Sequence, residues 1–231
     1  MGFFKIVFGF MLLIGIHELG HAIAAILCGV KVKRFSIGMG PGLTFKNVPF
    51  LNELILSPIV IGGYVLLDDE TLAQKSLWKR LFVLTGGMLA NTILASVLFL
   101  IGGESLVRAL VLPWFIWFWG WPLTFQVLTS GQIPIRDAVS GPVGIGGMMT
   151  SETYPYAFVL ALISASLAMF NLLPLPPLDG GLMLTAILEK IIGKKWAQRI
   201  HSVLLVVGIV LLLSILVFAT INDVTKLRQS P

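Results

Sequence analysis

Apolar residues run along this chain in long, nearly unbroken blocks instead of the alternating or three-to-four spacing of soluble strands and helices. About 20 such residues cross a bilayer as a helix, and four blocks qualify: 3–27, 81–101, 156–175 and 203–219. The first runs long enough to span and is read as a transmembrane helix, not as a cleaved leader. A fifth stretch, 109–128, mixes Trp114, Trp117, Trp119 and Trp121 with Pro113, Gly120 and Pro122. That mixture predicts an interfacial or re-entrant segment.

Between the first two spans, residues 31–80 show no helical period. Short β-favouring runs at 31–36, 54–57 and 64–67 alternate with Gly38, Gly40, Pro41, Gly42, Pro58, Gly62 and Gly63. They predict strands joined by glycine turns, some apolar enough to dip into the membrane face. In the second span Gly86, Gly87, Ala90 and Asn91 present small residues where a neighbouring helix can come close. The predicted fold class is a membrane all-α bundle of four transmembrane helices with a membrane-associated β-hairpin or small sheet in the first cytoplasmic loop.

Composition agrees with a bilayer setting. Hydrophobic residues make up 57% of the 231 and charged residues 12%, against roughly a quarter charged in a soluble domain, which excludes a water-soluble globule. The net charge of +5 does not indicate nucleic acid, because the basic residues cluster between apolar blocks. Lys31, Lys33, Arg34, Lys46, Lys75, Lys79 and Arg80 lie in one such gap, and Lys190, Lys194, Lys195 and Arg199 in another. The positive-inside rule puts both gaps in the cytoplasm and both termini outside. A single cysteine, Cys28, excludes an intramolecular disulfide and a thiolate zinc cage.

Chemistry enters in the first span. His17-Glu18-Leu19-Gly20-His21 places two imidazoles at i and i+4 on one helical face, about 6 Å apart along the axis, which suits two ligands of one tetrahedral zinc ion. Glu18 then stands beside the metal as a general base. Three ionisable groups within five residues of a span are too costly in lipid to be filler. Catalytic zinc takes three protein ligands, and depth selects the third. His21 lies ten residues from Lys31 and Asp179 eleven from Lys190, so both groups sit about 15 Å inside the same boundary. Pro174, Pro176 and Pro177 interrupt the helix before Asp179, and such broken chain is tolerated at depth only around a cavity. His201, Asp68, Asp69, Glu70 and Glu104 are read as surface residues.

Four segments together resemble the site-2 protease family, nearest its bacterial anti-sigma-factor-cleaving branch. They are the His17–His21 motif, Gly62-Gly63-Tyr64-Val65, Ser140-Gly141-Pro142-Val143-Gly144, and the run from Asn171 through Pro174, Pro176, Pro177 and Asp179 to Gly181. The resemblance covers nearly the whole chain. It implies one Zn2+ held by His17, His21 and Asp179, with Glu18 as catalytic base and Asn171 helping to hold substrate. It also implies a β-hairpin around 54–67, including Gly62, Gly63 and Tyr64, whose edge pairs with the unwound transmembrane segment of a single-pass membrane protein. The implied setting is a prokaryotic cytoplasmic membrane. That branch carries one or two PDZ domains between its second and third spans, and the interval here is too short for one.

Two other readings compete: a zinc-binding membrane protein or transporter without proteolytic activity, and a silent relative serving as a scaffold. A transporter lines its path with polar groups on several spans, whereas the second and fourth spans offer little beyond Asn91 and Ser96. Glu18 and a complete ligand set argue against the scaffold.

Overall fold

The computed structural model describes residues 2–57, 59–130 and 141–229. Ser140, the first residue of one motif above, and Pro58 lie outside the described residues. Helix α1 (Gly2–Leu27) is apolar apart from Lys5 in its first turns and His17, Glu18 and His21 further along, as befits a helix with protein on one flank and lipid on the other. It crosses α3 (Leu77–Ile101) with backbones touching. A Cβ on Gly86 would stand 2.5 Å from the Gly20 carbonyl oxygen, so neither glycine can carry a side chain. Small residues draw helices together where surrounding lipid offers no hydrophobic incentive. This meets the expectation for Gly86, Gly87, Ala90 and Asn91. Helix α6 (Tyr156–Asn171) packs on α3 through Ala95, Phe99, Val159, Leu160, Ala161 and Ala165, and Ser164 donates its hydroxyl to the Asn91 carbonyl at 2.8 Å.

Between α1 and α3 lies a mixed sheet of β1 (Val32–Met39), β2 (Leu43–Val48), β3 (Leu51–Leu56) and β4 (Ile59–Leu67), in the order β2-β3-β1-β4. The small sheet expected here is present, but the hairpin implied around 54–67 is not. β3 and β4 flank β1 on opposite sides, and Phe35 faces Leu54 on one edge and Val65 on the other. A two-residue link ordinarily makes a hairpin. Here the Ser57 N–H donates to Ile37 O and the Ser57 hydroxyl to Gly40 O, carrying the chain across the end of β1. The hairpin is β2–β3 instead, with Asn47 and Phe50 at positive φ around its turn. Val32 and Phe35 of β1 pack with Ala22, Ala25 and Val83, which seats the sheet on the α1–α3 pair. α2 (Asp69–Ala73) follows, capped by the Asp68 carboxylate, which accepts from the Thr71 N–H at 2.8 Å.

In the Trp-rich stretch a continuous helix replaces the re-entrant alternative and leaves the interfacial one open. This helix, α4 (Leu106–Ser130), runs through Pro113 and Pro122, packed on α3 and α6. Trp121 stacks edge-on against Phe170 and donates its indole N–H to Met169 O at 3.4 Å. A re-entrant turn needs a break, and neighbouring helices instead support this backbone across its prolines. By length and composition the helices able to cross a membrane are α1, α3, Leu106–Val127 of α4, and Lys194–Lys226 within α8 (Lys194–Gln229). α6 is apolar but shorter, at 16 residues, because the prolines after Asn171 stop it.

α5 (Pro142–Thr150) is pinned to α8. Buried Asp223 accepts from the N–H groups of Gly141 and Gly144 at 3.1 and 2.7 Å, and a Cβ on either glycine would meet that carboxylate within 3 Å. The loop after α6 folds back onto the start of α7 (Asp179–Ile192). Side chains on Gly180 or Gly181 would strike Leu172 O or the backbone at Pro176, and one on Gly208 of α8 would strike Pro176 O. Asp179, the first residue of α7, is therefore held by backbone contact on two sides.

Candidate metal centre

Helical spacing brings His17 and His21 onto the face of α1 that meets α3, with both residues 93% buried. α7 delivers Asp179 to the same point. His17 Nε2 and His21 Nε2 lie 3.1 and 3.2 Å from Asp179 Oδ2 and 3.3 Å from each other. A tetrahedral ion with ligand bonds of about 2.0–2.1 Å has ligand-to-ligand edges of about 3.3 Å, so the triangle matches one face of such a tetrahedron. An all-protein reading fits poorly. It would aim two imidazolium groups, themselves in contact, at one oxygen, and Asp179 Oδ2 is buried without a hydrogen-bond partner of acceptable geometry. Among the described residues this is the group of His, Cys, Asp and Glu side chains arranged to hold a metal ion.

The surroundings fix which ring nitrogen is bare. His21 Nδ1 lies 2.8 Å from Val83 O, a carbonyl that can only accept, so Nδ1 carries the proton and Nε2 keeps its lone pair. His17 Nδ1 meets the Asn91 side-chain amide at 3.2 Å. Asn91 Oδ1 is otherwise buried and unpartnered. Turning the amide, whose oxygen and nitrogen are a matter of assignment, lets Oδ1 accept from a protonated Nδ1. Gly87 completes the cradle: a Cβ there would lie 2.5 Å from His21 Nε2 and 2.6 Å from His17 Nε2, in the space an ion would share. Val83, Gly87 and Asn91 recur every four residues, forming one stripe of α3 behind the two rings.

Glu18, next to the pair in sequence, turns toward the sheet. Its Oε2 accepts from the Val65 N–H of β4 at 2.9 Å. Gly63 lies beside it, with the Glu18 Cγ 3.9 Å from a Cβ placed there, and also hugs Ser36 O. Thus the edge of β4 not paired with β1 faces the catalytic candidate. Other residues predicted for substrate sit further from this cluster in their contacts. Gly62, at φ 104, packs against Met39. The Tyr64 hydroxyl meets Arg34 at 3.5 Å. Asn171 donates to Leu167 O of its own helix at 3.0 Å. The structure thus unites His17, His21, Asp179 and Glu18, and adds Gly63. Asn91 and Gly87 were not foreseen as part of the site, although a lone amide in an apolar span is itself a signal. His201, read as a surface residue, bonds Thr185 through Nδ1 at 2.9 Å, away from the cluster.

Two histidines and an aspartate spaced to hold a metal ion on an apolar helix, with a carboxylate beside them, form the arrangement a metal-dependent membrane hydrolase requires. Residues 5–215 match peptidase family M50, and the chain belongs to that family, the site-2 proteases. It is 26% identical over 338 aligned positions to a protein of Clostridium acetobutylicum provisionally named a zinc metalloprotease, covering 97% of this chain and 98% of that one. A relative of the same provisional name from Xylella fastidiosa (strain Temecula1) is 38% identical over 112 residues, 42% of this chain and 25% of that protein. One from Helicobacter pylori (strain 26695) is 37% identical over 115 residues, 43% and 33% of the two chains. The chain thus matches only a quarter to a third of the length of these latter relatives.

Proposed function

We propose that this chain is an intramembrane zinc metalloprotease that hydrolyses peptide bonds within the transmembrane segment of a single-pass membrane protein. The observation that supports it most is the buried His17–His21–Asp179 triangle with Glu18 docked on the edge of β4. Zinc bound there would polarise the scissile carbonyl and make a water acidic enough to attack at neutral pH. Glu18 takes a proton from the attacking water. As the new C–O bond matures and the C–N bond breaks, the same carboxylate returns that proton to the leaving amine. The Val65 N–H keeps Glu18 in place for both transfers. The free edge of β4, next to Gly62 and Gly63, offers main-chain hydrogen bonds to a substrate unwound from its helix, since a helical peptide bond shields its own carbonyl. Asn171, at the end of α6, supplies a further amide for holding that strand.

The setting that fits is a prokaryotic cytoplasmic membrane, with the sheet and the α7–α8 junction on the basic, cytoplasmic side and the chain lying in the bilayer. α4 occupies the interval between α3 and α5 where family members with a PDZ domain carry it. Direct substrate entry along β4, without a preceding filter, is the corresponding reading. The test is cleavage of a tagged single-span protein by the purified chain in liposomes, beside Glu18→Gln, with zinc measured in both. Wild type should cut, and Glu18→Gln should retain zinc while losing about 10²–10⁴-fold in rate. Zinc binding by both with cutting by neither, over a panel of membrane segments, would favour a metal-binding protein without proteolytic activity.

A further inference from the structure

A polar cavity of about 650 Å³ opens at the basic end of the bundle, where α2, α3, α7 and α8 converge. Lys75, Arg80, Lys190 and Lys194 stand in its wall against two carboxylates, Asp69 and Glu189. Glu189 is already neutralised by Arg80 at 2.6 Å. Among the described residues, Lys75, Lys190 and Lys194 make no ion pair closer than 4 Å. Two long helices, α3 and α8, also begin at this wall, at Leu77 and Lys194, and the Ser76 side chain leaves the first N–H groups of α3 uncapped. Three lysines without a close ion pair and two helix N-termini converge on one volume, and all of them favour an anion.

The level of the cavity narrows the choice. Trp78 and Trp196 sit in the first turns of the two helices and are 79% and 58% exposed, as tryptophans are at the bilayer interface. A cation-lined pocket at headgroup height suits the phosphate of a lipid.

We propose that this cavity binds the phosphate of an anionic phospholipid, bridging α3 and α7. The assignment does not depend on the chain being a protease. It has a structural consequence, because α3 carries Val83, Gly87 and Asn91 behind the histidines while α7 carries Asp179. A headgroup that ties the basic ends of these helices together holds the two halves of the metal centre in register.

The test uses the full chain in nanodiscs of phosphatidylcholine with or without phosphatidylglycerol. Native mass spectrometry reads the lipid retained after mild extraction, and thermal unfolding reads stabilisation. Wild type should retain phosphatidylglycerol in preference to phosphatidylcholine and unfold at higher temperature with it. Lys190→Gln/Lys194→Gln should lower retention by about tenfold or more. Lys31→Gln/Lys46→Gln removes equal charge from the exposed sheet and should leave retention within about twofold. Circular dichroism checks that both variants keep their helices. Equal losses in the two double variants, or no preference between the lipids, would overturn the proposal in favour of diffuse attraction. In discs of phosphatidylcholine alone, inorganic pyrophosphate should not shift unfolding. A pyrophosphate shift that Lys190→Gln/Lys194→Gln abolishes would overturn the lipid and assign the same cavity to a soluble phosphate.

Discussion

The sharpest test of the metal centre is a methyl group. Gly87→Ala adds a Cβ that, with the present backbone, would sit 2.5 Å from His21 Nε2 and 2.6 Å from His17 Nε2. Ordinary contact is about 3.5 Å or more, so one or both rings must retreat by about 1 Å. Metal-ligand distances tolerate about 0.2 Å. The rings cannot retreat freely, because His21 is tied to Val83 O and His17 to Asn91 on the same helix as the new methyl. At least one ligand should therefore be lost, with zinc affinity falling more than 100-fold, equivalent to about 2.7 kcal/mol. Alanine favours a helix over glycine by about 1 kcal/mol, so loss of metal would not reflect a melted α3. Gly15→Ala is the matched control, since a Cβ there meets nothing within 4 Å. Zinc content after dialysis against buffered zinc, read with helicity, decides the matter. Full zinc occupancy in Gly87→Ala at wild-type affinity would refute the geometry described for the site.

Three further outcomes are expected. Asn91→Leu removes the acceptor for His17 Nδ1 and should lower zinc affinity by about 10–100-fold, measured by competition with a zinc chelator while the helical signal stays unchanged. Arg80→Met leaves Glu189 partly buried and unpaired, and should destabilise by about 1–3 kcal/mol; the double change with Glu189→Gln should recover part of that, read as a coupling term in unfolding. Asp68 is held down to about 2, first by the Thr71 N–H and then by Lys33. A carboxylate depressed in the folded state adds stability above its unfolded value of about 3.9 and loses it as pH falls from there toward 2. Hydrogen exchange of the α2 amides should accelerate beyond the intrinsic pH trend across that window, and Asp68→Asn should flatten the change.

Much of the site was legible because its determinants are local or countable. The i, i+4 histidines need only a helix, and Asp179 followed from counting residues to the basic boundary. What escaped depends on how elements rotate against one another. Gly87 and Asn91 were legible as a place where a neighbouring helix comes close, but that the neighbour is the histidine face of α1 is not written in the spacing within α3. The β3–β4 segment read as a hairpin because its link is short, yet β1 offers both edges and Ser57 ties the link across its end. Trp and Pro content suggested an interfacial or re-entrant segment at 109–128; α3 and α6 support a continuous helix there, so only the re-entrant break is absent. The glycines of the motif beginning at Ser140 are explained by Asp223, some eighty residues away, a partner the motif does not contain.

The glycines at the crossing of α1 and α3 and beneath the Pro176 loop set how the metal energy is spent. Side chains swing between rotamers, but main chain resting on main chain at Gly20, Gly86, Gly180 and Gly208 has nowhere to go. In small zinc domains the ion recruits its ligands from a disordered chain and most of its binding energy goes into folding. Here the ligands are already gathered by contacts that owe nothing to the ion. Little ordering entropy remains to be lost when it arrives, so its binding energy appears as affinity and as a fixed position for catalysis.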